Sequence, residues 1–80
     1  MNQLERTTEK NEALSLREKE VLVEVAKGLT NKEIADRLNI SIHTVITHRK
    51  NISHKTGINS IAGLTVYVII NKLADIKDLL

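Results

Sequence analysis

Four strong bases, Arg37, Arg49, Lys50 and Lys55, fall between residues 37 and 56, and no Asp or Glu interrupts them. Bases held on one helix do electrostatic rather than covalent chemistry. They meet the oxygens of a polyanion, and a local excess of positive charge of this kind is an electrostatic footprint for phosphate. The overall net charge of +2 conceals the run, because residues 1–36 carry more acids than bases and residues 57–80 balance. His43, His48 and His54 lie in the same stretch. His43 and His54 share a helix face, but helical rise separates them by about 16 Å, too far to hold one metal ion. No nucleophile, base and orienting acid come together, and no Gly-rich phosphate loop is present, so the chain reads as a non-enzyme without metal or cofactor.

The elements that position these bases are legible from their boundaries. Residues 1–13 are polar without a sustained period and read as a linker or N-terminal arm. Ser15 and Glu18 form an S-x-x-E capping box, so the first helix begins near Leu16. Val21, Leu22, Val25 and Ala26 make its inward stripe, and Gly28 stops it, with Leu29 placed to close back on Val23. Thr30 and Glu33 repeat the box for a second helix of about two turns, whose inner face is Ile34, Ala35 and Leu38. Asn39 sits where the chain must turn, since Asn after Gly is best suited to the left-handed conformation. Ser41 caps a third helix that runs from about Ile42 to Thr56 and stops at Gly57.

Rotation by 100° per residue puts Ile42, Val45, Ile52 and Thr56 on one side of that helix, with Arg49 at the margin. The other side shows His43, Thr47, Lys50, Asn51 and His54, and Ile46 lies between. An acid of the first helix, Glu18 or Glu20, is expected to hold Arg49. A small residue at Ala35, a turn residue at Asn39 and an anchor at Val45 have the spacing of a helix-turn-helix corner that shows the polar side of its second helix outward. A fourth helix is expected from Asn59 or Ser60 through about Leu73, with ADIKDLL left unplaced.

The 80 residues make one small domain near the size at which a single core suffices, and without Cys no disulfide or thiolate metal site supports it. The single aromatic, Tyr67, argues against a base-stacking platform for single strands or RNA. No secretory signal or membrane span is apparent, which gives a soluble, cytoplasmic expectation.

LSLREKEVL, KGLTNKEIADRLNIS and HTVITHRKNISHKTGI, in that order and spacing, strongly resemble the LuxR/FixJ-type, GerE-like helix-turn-helix domain of bacterial transcription regulators. The resemblance covers about residues 14–73 and makes residues 14–80 the folded domain. It implies an all-α, four-helix domain that binds double-stranded DNA as the output part of a regulator and pairs through its last helix. RNA polymerase is a further implied partner. Carried over by position, base-edge contacts fall on Ile46, Thr47 and Lys50, and backbone contacts on Lys32, Thr44, His48, Arg49 and Lys55. Ile46 departs from the charged residue common there and is suited to a thymine methyl. Gly63 departs from the usual Glu in the first turn of the last helix and puts that helix's cap in question.

Two other readings compete. One is a helical interaction module that binds another regulator through its apolar last helix, with the basic helix merely solvated; the other is a promoter-binding region like that of a sigma factor. The last helix is apolar nearly all round. Gly63, Val66, Tyr67, Ile70 and Ala74 make one stripe, expected to be a dimer seam, and Ala62, Thr65, Val68 and Ile69 make the other, expected to face the core. A receiver or ligand-binding domain needs far more residues than the first 13, so the chain is expected to be a stand-alone regulator or the output part of a longer protein.

Overall fold

A computed structural model describes residues 13–80. The expected N-terminal arm lies outside them apart from Ala13. The described residues form five helices and no strand: α1 Leu16–Ala26, α2 Asn31–Leu38, α3 Ile42–Thr56, α4 Ile61–Ile70 and the single turn α5 Ile76–Leu79.

Each long helix begins where its cap residue dictates. The Ser15 hydroxyl accepts from the Glu18 N–H at 3.1 Å, and the Ser15 N–H donates to the Glu18 carboxylate at 2.9 Å. Thr30 and Glu33 repeat the exchange at 3.1 and 2.7 Å. Ser41 caps α3 through the Thr44 N–H at 3.0 Å, and Ser60 caps α4 through the Gly63 N–H at 3.0 Å. The cap of α4 is therefore present. With Gly at its third position, it lacks only the returning carboxylate. Such caps contribute about 1 kcal/mol each, which is substantial in a domain this small.

The stops follow the same local logic. At Gly28, φ is 93°, and the Gly28 and Leu29 N–H groups return to the carbonyls of Val25 and Glu24 at 3.0 and 3.2 Å. This paired return satisfies two carbonyls that the helix leaves open. α2 ends at Asn39, which takes φ 59° and ψ 47°, and α3 ends at Gly57. α4 is shorter than its apolar pattern suggests. It stops at Ile70 rather than Leu73, because Lys72 adopts φ 57° and the Lys72 and Leu73 N–H groups return to Ile69 and Val68. A lysine in this role carries no sequence signal. The unplaced tail supplies α5, where the Asp75 N–H faces the Asp78 carboxylate at 3.4 Å.

α1 is the centre of the fold, packing against both α3 and α4, while α2 packs against α3. Val21, Leu22, Ile34, Val45, Ile52 and Val68 are completely enclosed, and Leu14, just ahead of the first cap, closes one end of the core. Two inward assignments need correction. Ile42, the first residue of α3, precedes the contact with α1 and α2 and is 43% exposed. On α4, Leu64 joins Val68 in the core, whereas Ala62 is exposed. Tyr67 packs on the core edge, and a Cβ at Gly63 would lie 2.7 Å from Ile58 Cγ2, so both lie against residues of the chain itself.

Candidate nucleic-acid interface

The corner between α2 and α3 is built as its spacing requires. Ala35 is buried, the Asn39 and Ile40 N–H groups both return to the Ala35 carbonyl, and Val45 is fully enclosed at the start of α3. A larger side chain at 35 would push the helices apart; the left-handed Asn39 turns the chain between them. With Val45, Ile52 and Thr56 facing inward, α3 must show its opposite side to solvent. His43, Thr47, Lys50, Asn51 and His54 are all exposed.

Two bases of the run are paired with acids of α1. Arg37 Nε lies 3.3 Å from Glu24, which also receives Lys27 at 3.8 Å. Lys55 Nζ lies 2.9 Å from the buried carboxylate of Glu18. Burial alone would raise the Glu18 pKa. The Ser15 backbone N–H and the Lys55 ammonium outweigh it and hold this carboxyl below its ordinary range. Lys55 thus ties the end of α3 to the start of α1.

Arg49 is not held by Glu18 or Glu20. Its guanidinium donates from Nη1 to Asn31 Oδ1, at the first turn of α2, at 2.9 Å, while Glu20 pairs with Arg17 at 3.2 Å. A neutral amide thereby positions Arg49 and leaves its charge intact. Lys50 is exposed and has no ion-pair partner among the described residues; Lys32 is exposed in the first turn of α2. On α2 and α3 the bases without an acid partner among the described residues are therefore Lys32, Arg49 and Lys50.

The other anticipated contacts are mixed in position. Thr47 is exposed, Ile46 is half-buried beside Asn31, and the Thr44 hydroxyl lies 2.9 Å from that of Ser41 within the α3 cap. His48 is half-buried, and its Nδ1 is enclosed without a hydrogen-bond partner. Ile46, Arg49 and Lys50 line one groove together with Asn31, Ser53 and Asn59, three polar residues the linear pattern did not single out. Their only sequence signal is their side-chain type.

On the far side of the fold, α4 presents Val66 and Ile70, 53% and 70% exposed, with Ala62 exposed and Ile69 half-buried beside them. This ridge is the outward face of a helix whose other side carries Leu64 and Val68. Among the described residues no helix is long and apolar enough to cross a membrane, and no three metal-ligating side chains cluster.

The chain is 43% identical over 65 residues to the transcriptional regulatory protein MctR of Rhizobium johnstonii, an alignment covering 81% of this chain and 30% of that protein. It is 42% identical over 69 residues to the oxygen regulatory protein NreC of Staphylococcus aureus, covering 86% and 32%. It thus spans about a third of the length of these relatives. No solved structure matches it significantly. The family model described as bacterial regulatory proteins, luxR family, matches residues 12–68, and with most of the chain accounted for in this way, the chain belongs to that family.

Proposed function

We propose that the chain binds double-stranded DNA as a transcription regulator, with α3 in the major groove. The observation that carries this reading is the exposed side of α3. Thr47 and Lys50 are exposed, on a helix that Val45 and Ile52 anchor and the Asn39 turn orients. Lys50 and Thr47 meet base edges, and Ile46 offers its remaining surface to a thymine methyl. Lys32, Arg49, Thr44 and His48 face the sugar-phosphate backbone. Names of the relatives, a transcriptional and an oxygen regulatory protein, agree with this role.

Pairing through α4 completes the reading. The ridge of Ala62, Val66, Ile69 and Ile70 takes over the seam role expected of the Gly63 stripe, and a second copy is its occupant. Two-fold pairing would set two recognition helices on an inverted repeat with half-sites about 34 Å apart. RNA polymerase remains a partner implied by the role.

Duplex binding measured over a salt series tests the whole. A phosphate-binding domain loses affinity linearly on logarithmic axes as salt rises. A flat response would leave the interaction-module alternative, in which α3 is only solvated. For the seam, the Val66→Glu, Ile70→Glu double variant is expected to stay helical by circular dichroism, sediment as a monomer and bind one half-site weakly. A dimer that survives both charges would place the seam elsewhere.

A further inference from the structure

The groove beside Lys50 has features that the base-reading role of α3 does not explain. It is an open cleft of about 400 Å³ between α2 and α3, with Asn59 of the α3–α4 loop on its rim, and its charged lining residues are Arg49 and Lys50. No acid lines it. Arg49 is fixed on its wall by the 2.9 Å hydrogen bond to Asn31 Oδ1, which occupies one of the five guanidinium N–H donors. With Oδ1 engaged, the Asn31 amide nitrogen has no partner among the described residues, and Ser53 and Asn59 add further groups able to donate. With Lys50 assigned to base edges, Arg49 and the neutral donors of Asn31, Ser53 and Asn59 remain around one concave surface and fit a single anionic oxygen cluster.

Resting on the DNA-binding reading, we propose that this groove seats one phosphodiester of the DNA strand bordering α3, and that Asn31 is the positioning residue that sets Arg49 for it. The choice of a neutral amide is the point. A carboxylate at position 31 would hold the guanidinium at least as firmly, but it would cancel its charge and repel the phosphate. An amide orders a long side chain that otherwise loses rotamer freedom on binding, and leaves its full charge to the ligand. Asn59, from a different segment, lines the same groove and adds a donor to the seat.

Asn31→Asp separates this role from a merely structural one. Position 31 opens α2, where an acid is favoured by the helix dipole, so the variant is expected to melt at the same temperature as the parent or higher. Its affinity for every duplex should fall on the order of tenfold, and its salt slope should drop by about one unit, as for the loss of one phosphate contact. Asn31→Ala, which frees Arg49 without neutralising it, should lose about fivefold. If the parent binds duplex DNA with a steep salt slope and Asn31→Asp matches it in affinity and slope, the seat is overturned while DNA binding stands. If the parent itself shows no salt-dependent duplex binding, the DNA-binding reading fails and the seat falls with it.

Discussion

Replacing Lys55 by Met keeps most of the side chain's length and removes its charge, which makes Lys55→Met a direct test of whether this base serves the fold or the ligand. In the folded chain its ammonium lies 2.9 Å from Glu18 Oε1, the two side chains are only 24% and 6% exposed, and the same oxygen accepts the Ser15 N–H. Removing the cation leaves a buried carboxylate with its cap bond alone. A hydrogen bond to a charged group contributes about 1.5–3 kcal/mol, and the partial exposure of Lys55 brings the expected loss to the lower end of that range or just below it, about 1–2 kcal/mol. A domain of this size melts about 4–8 °C lower for each kcal/mol, so the shift is readable by circular dichroism.

The pH dependence supplies a second readout. In the parent the Glu18 pKa is lowered in the folded state, so its stabilisation is fully present above the unfolded value and is lost as pH falls through the folded one. Without Lys55, burial opposes only the Ser15 bonds, the folded value rises toward the unfolded one, and the acid-induced loss of stability that Glu18 contributes becomes smaller. A cycle of Glu18→Gln, Lys55→Met and the pair should return a coupling of about 0.5–3 kcal/mol. The reasoning is refuted if Lys55→Met leaves the melting temperature unchanged while lowering the salt slope of duplex binding by about one, because Lys55 would then be a phosphate contact.

Lys50→Ala should weaken binding to a selected duplex by about 1–3 kcal/mol and relax preference at one base pair per half-site, whereas Lys32→Ala should weaken all duplexes similarly; a comparison of selected and random DNA over a salt series distinguishes them. Gly63→Ala normally gains about 1 kcal/mol in an open helix, but here the added methyl meets Ile58 Cγ2 at 2.7 Å, so denaturant unfolding should show a net loss that Ile58→Ala relieves. Asn39→Ala should cost about 1–2 kcal/mol through its left-handed backbone, with Asn39→Gly close to neutral, as read by thermal melting.

What the sequence revealed, and what it did not, divides by the range of the interaction. Caps and stops depend on residues within one turn, so Ser15 with Glu18, Thr30 with Glu33, Asn39 and Gly57 set helix limits that a linear reading finds. Lys72 has the same left-handed function without the residue type that announces it, so the apolar pattern of α4 runs past the end of the helix. The faces of α4 were opaque for another reason: a helix apolar all round has no phase, and only packing against Ile58 and α1 decides that Leu64 turns in while Ala62 turns out. Charge in the basic run was the least legible, because its meaning depends on partners 18 and 37 positions away. Lys55 meets a carboxylate and is neutralised in place; Arg49 meets an amide and is oriented with its charge intact. Two bases on one helix thus take opposite charge states toward their surroundings from the chemistry of a single acceptor, and the uncompensated charge of α3 follows from which acceptors the rest of the fold brings to it.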